Sequence, residues 1–82
     1  MIIYDESNQK QLSKVTILLT PQEADELADK LMSLTPEPGD HVHINNETYS
    51  KEITIAIYTP KNAKAFATRY RKLIAEELRL NP

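Results

Sequence analysis

"VTILLTPQEA", Val15 to Ala24, and "ITIAIYTPKNA", Ile53 to Ala63, are the two stretches whose reading decides the fold. Each is an aliphatic run with alternating faces, then Thr-Pro, then a helical pattern. Thr20 and Thr59 stand where a hydroxyl can accept a free backbone N–H at a helix start. Pro21 and Pro60 follow at the first helical position, where a missing donor costs nothing. In the first copy Glu23 completes a T-x-x-E capping box.

Working outward, the spacing predicts a first helix to about Leu34, with Ala24, Leu27, Ala28, Leu31 and Leu34 on its apolar face and "TPEPG" as its stop. A second helix is predicted from Pro60, turning Ala63, Phe66, Ala67, Tyr70, Ile74 and Leu78 inward. Between them, Val42 and Ile44 alternate with His41, His43 and Asn45, as in the first strand of a hairpin returning through Ile53 to Tyr58. Asn45 and Asn46 are the expected positive-φ residues of its turn. The opening "MIIY" reads as a short strand, paired through "DESNQKQLS" with Val15 to Leu19.

The element order is then β-β-α-β-β-α. A hairpin at each end and a crossover in the middle give one four-stranded antiparallel sheet, order 1-2-4-3, with two helices on one face. This α+β arrangement is a permuted ferredoxin-like fold. The histidine strand falls at its edge, with both imidazoles on the uncovered side.

Composition limits what such a chain does. Its 82 residues suffice for a single domain. Without cysteine no disulfide staples it, and with Gly39 as its only glycine it has no phosphate-cradling loop. No apolar run approaches the length of a membrane span, so no membrane role is expected, and a cytoplasmic setting is. Charge is uneven along the chain. Residues 21 to 34 carry Glu23, Asp25, Glu26 and Asp29 against Lys30, whereas residues 60 to 82 carry six cations against Glu76 and Glu77.

Three sets of residues are functional candidates. The uncovered sheet face would display Leu18, His41, His43, Thr54, Ala56 and Tyr58, a mixture too apolar for an idle surface and too polar for a core. It suits a protein partner, or a homodimer formed through this face or through the edge strand. His41 and His43, spaced i, i+2, are within reach of one metal ion and are the candidate ligands of a metal-dependent enzyme. A catalytic metal, however, needs about three protein donors, and no cofactor is expected. The basic set, Lys61, Lys64, Arg71 and Lys72, could meet phosphates. A net charge of −2 and the lack of a stacking motif disfavour nucleic acid. No serine or threonine sits in a nucleophile elbow, so no catalytic residue is assigned.

Residues 39 to 60, "GDHVHINNETYSKEITIAIYTP", resemble small bacterial immunity-type proteins of polymorphic-toxin systems, in which a Gly-Asp-His-x-His strand precedes a polar turn and an aliphatic strand. The resemblance spans about a quarter of the chain. It implies a non-enzymatic protein that neutralises a partner by binding it, and carries over no residue beyond His41 and His43.

Overall fold

Thr20 is the N-cap of helix α1, Pro21–Ser33, and its hydroxyl accepts from the Glu23 amide at 3.1 Å while Glu23 Oε1 accepts from the Thr20 amide at 3.0 Å. The expected capping box is present, with Pro21 at the first position. The helix ends where Leu34 turns extended, just before Pro36 and Pro38. The computed structural model describes residues 1 to 80.

Four strands accompany α1: β1, Ile3–Asp5; β2, Lys10–Leu12; β3, Val42–Asn45; and β4, Glu52–Ile55. A second helix, α2, spans Thr68–Leu80. β1 pairs with β2 and β3 with β4, both antiparallel. The protein is therefore a small α+β chain with two helices and two separate two-stranded sheets, where the sequence predicts one sheet.

The first departure is in β2, which lies at Lys10–Leu12 and not at Val15 to Leu19. Asp5 is the cause. Its Oδ1 accepts from the amides of Ser7 and Asn8, and its Oδ2 accepts from the Asn8 side chain at 2.8 Å. The chain reverses at once, Gln9 takes φ 51°, and pairing is complete at Leu12. Val15 to Leu19 is left without a ladder partner.

The second departure is in the helix after β4. Thr59, the expected cap, forms a reciprocal box with Asn62, a partner not expected from the sequence: Thr59 N–H to Asn62 Oδ1 at 2.8 Å and Asn62 N–H to Thr59 Oγ1 at 3.2 Å. It opens a single 3₁₀ turn, Ala63–Ala65, and Phe66 then turns extended before α2 begins at Thr68. The Asn62 amide explains this. Its two hydrogens go to the carbonyls of Ile57 and Pro36, each at 2.8 Å, which ties the turn sideways to two other segments.

α1 packs on β3, and Lys30 Nζ donates to the His43 carbonyl. α2 meets β1 through Tyr70, whose ring stands edge-on to Tyr4 at 5.2 Å, and through Arg69, 3.4 Å from Glu6. Among the described residues the enclosed apolar side chains are Ile44, on β3, and Ile74, on α2. Of the α1 face expected to be inward, Leu27 and Leu34 are half-buried, whereas Ala24, Ala28 and Leu31 are exposed. No described helix is long and apolar enough to cross a membrane.

Candidate functional site

The β3–β4 hairpin carries most of the candidate residues. Its register pairs Val42 with Ile55 and Ile44 with Ile53 on the α1 side, and His43 with Thr54 on the other. The alternation expected from the sequence therefore holds along β3. The loop that feeds it is held by Asp40, whose Oδ2 accepts from the Thr35 hydroxyl at 2.7 Å and the Thr35 amide at 2.8 Å. The Thr35 hydroxyl foremost, then its amide, hold the Asp40 carboxyl below its ordinary pKa. Gly39, at φ 85°, makes the turn between them.

Both imidazoles are pinned by the same nitrogen. His41 Nδ1 lies 2.9 Å from the Gly39 carbonyl, which can only accept, so Nδ1 carries the proton. His43 Nδ1 lies 2.7 Å from Glu52 Oε1 and 2.8 Å from Thr54 Oγ1. Thr54 donates its own hydrogen to Glu52 at 3.2 Å, so His43 Nδ1 is again the donor. In the neutral rings both Nε2 atoms then keep a lone pair. The rings stand edge to face, 4.6 Å between centroids.

This geometry limits the chemistry. A base that activates a hydroxyl presents one nitrogen to it and the other to an orienting acid, whereas here Thr54 and Glu52 share Nδ1. Thr54 is therefore not poised as a nucleophile. Among the described residues no three His, Cys, Asp or Glu gather around a point where a metal ion could sit, so the imidazole pair offers two donors.

Other candidates are dispersed. Leu18, 90 % exposed, lines a cleft whose far wall runs from Ile44 and Asn45 to Ile53. Ala56 and Tyr58 continue beyond β4, and the Tyr58 hydroxyl accepts from the Met1 amino group at 3.3 Å. The four basic residues do not share one helix. Lys61 precedes the 3₁₀ turn, Lys64 is within it, and Arg71 and Lys72 belong to α2.

One residue was not anticipated. The hairpin turn puts Tyr49, not Asn45 or Asn46, at positive φ, 57°, with 79 % of its surface exposed. Asn46 builds the turn: its Nδ2 donates to Ser50 at 2.9 Å, its Oδ1 accepts from the Lys51 amide at 2.9 Å, and its carbonyl accepts from the Tyr49 amide at 3.0 Å. A lone aromatic inside the polar run "NNETYSKE" is the signal that could have found it.

Comparison with protein-family models, with curated proteins and with solved structures finds no match to this chain.

Proposed function

We propose that the chain is a small, non-enzymatic binding module that acts through protein contacts, in the manner of an immunity or inhibitor protein. One observation carries the reading. The chain exposes 6748 Å² at a mass of 9.4 kDa, whereas a compact monomer of that mass exposes about 5,000 Å². Its radius of gyration, 13.7 Å, likewise exceeds the roughly 12 Å of a compact chain of this length. The exposed surface includes large apolar side chains, Leu18 at 90 % and Tyr49 at 79 % among them, and exposed apolar surface marks interaction sites when it is contiguous.

The docking surface in this reading is the imidazole side of the β3–β4 hairpin, His41, His43, Thr54, Ala56 and Tyr58, extended by Leu18 and by Tyr49 at the tip. An exposed tyrosine at a turn gives contact area with only two side-chain torsions to fix. The resemblance of residues 39 to 60 to immunity-type proteins favours a neutralising role, and a cytoplasmic setting accords with a chain free of cysteine. A single four-stranded sheet of order 1-2-4-3 would require Val15 to Leu19 to pair with β4 on one side and, alone or as a continuation of β2, to stay in the sheet with β1 on the other. Affinity capture with the native chain tests the reading. Leu18→Asp, Tyr49→Asp and Tyr58→Asp should lose the captured partner while circular dichroism stays native. Unchanged association in all three overturns it.

A second reading, a metal-dependent enzyme using His41 and His43, is favoured by the tautomers. With Nδ1 engaged on an oxygen in each ring, both Nε2 atoms are free to ligate. Metal analysis of untagged protein decides it: no stoichiometric zinc, nickel, copper or iron dismisses the reading. Nucleic-acid binding through Lys61, Lys64, Arg71 and Lys72 gains nothing from cations divided among the segment before a 3₁₀ turn, the turn itself and a helix.

A further inference from the structure

Val15 to Leu19 is an aliphatic stretch that makes no hydrogen bond among the described residues. Val15 and Ile17 are each 50 % exposed and Leu18 is 90 % exposed. Residues 16 to 19 form one wall of the cleft shared with Ile44 and Ile53, but the segment's backbone edges are unpaired, and an apolar segment with unpaired edges is a template for pairing with another chain.

Resting on the reading that this protein works through protein contacts, we infer that the partner is a second copy of the chain, joined by antiparallel self-pairing of Val15 to Leu19 about a two-fold axis at Ile17. The pattern suits that symmetry. In a self-paired strand Ile17 lies opposite Ile17 and Val15 opposite Leu19, so Val15, Ile17 and Leu19 of both chains form one apolar face. A different partner would need no such symmetry. The ends are complementary as well. Lys14 lies opposite Thr20, whose helix carries Glu23, with one carboxylate oxygen on the Thr20 amide, in its first turn and Asp25 beyond it, and Lys14 makes no ion pair among the described residues.

The area agrees. The excess over a compact monomer is about 1,700 Å². A standard interface removes about 800 Å² from each partner, and obligate homodimers remove more. That excess, spread over the whole chain, is about twice what a standard interface removes from one partner.

The full chain tests this directly. Light scattering and sedimentation across the micromolar range should give twice the 9.4 kDa mass of the chain. Ile17→Asp should weaken self-association about 30-fold or more, as should Ile17→Lys, and mixing the two variants should restore a heterodimer. The chain has no cysteine, so in Ile17→Cys the introduced thiols should oxidise to a covalent dimer. Met32→Cys, on a side chain 86 % exposed, should not.

A monomer at every concentration with no crosslink in Ile17→Cys overturns the inference. If that monomer still captures another protein through Leu18, the broader binding reading stands and this one falls. A monomer whose residue 15 to 19 amides resist hydrogen exchange has closed the segment on its own β4, which also overturns it. So does a dimer indifferent to both Ile17 charges.

Discussion

Asn62 donates a side-chain hydrogen to the carbonyl of Pro36, twenty-six positions away, at 2.8 Å. The orientation is unambiguous, because the Thr59 amide needs Oδ1 and leaves Nδ2 for the carbonyls of Pro36 and Ile57. This one side chain joins the loop before β3, the exit of β4 and the start of the 3₁₀ turn. It is enclosed at 3 % exposure.

Asn62→Ala should therefore cost about 2 to 4 kcal/mol, because three backbone groups lose their partner in a buried site. Asn62→Asp should cost at least as much, since a carboxylate would face two carbonyl oxygens. Urea unfolding followed by circular dichroism measures both. A loss below about 0.5 kcal/mol, the range of ordinary surface changes, would show that the contact to Pro36 holds nothing together.

Tyr49 gives the opposite sign. An aromatic residue at φ 57° sits in a backbone region that costs L-residues about 1 to 2 kcal/mol, and at 79 % exposure it recovers little by packing. Tyr49→Asn or Tyr49→Gly should stabilise the chain by about 0.5 to 1 kcal/mol. The same variants should weaken partner capture. A stable variant with unchanged capture would remove Tyr49 from the docking surface.

The parts of this fold legible in the sequence are those set by neighbours a few residues apart. Thr20, Pro21 and Glu23 specify the start of α1, and the alternation of Val42 and Ile44 with the histidines specifies the two sides of β3. What misled was competition between local signals. Val15 to Leu19 has the period of a strand, but the Asp5 turn closes the first hairpin before that segment is reached. Thr59 and Pro60 signal a helix, but the side chain at position 62 is an amide with two further hydrogens, and distant carbonyls claim them. Pro36 cannot be matched to Asn62 from spacing. The His43 and Glu52 contact was likewise hidden, because only the register of β3 on β4 brings them together.

That contact predicts a tautomer. With Glu52 and Thr54 on Nδ1, neutral His43 should carry its proton there, and His41 should do the same through Gly39. Nitrogen-15 NMR of the imidazole rings distinguishes the two tautomers directly. Glu52→Gln should leave His41 unchanged and mix the tautomers of His43. Protons on Nε2 in the unaltered chain would contradict the arrangement and dismiss the metal reading with it.

Acid should loosen the loop that delivers β3. The Thr35 hydroxyl and amide depress the Asp40 carboxyl, so its folded-state pKa lies below its unfolded value. The sign follows: the unfolded chain takes up the proton first, so the contribution is fully present above the ordinary aspartate range near pH 4 and disappears as pH falls through the depressed value. Asp5 behaves alike through its Asn8 side-chain contact, and it guards the first hairpin. Urea midpoints measured from pH 6 to about pH 2.5 should decline with acid. Asp40→Asn should lower the midpoint at pH 6 and flatten the decline, and adding Asp5→Asn should flatten it further. A decline equally steep in the double variant would place the acid sensitivity in other carboxylates and deny these two loops their role in holding the strands.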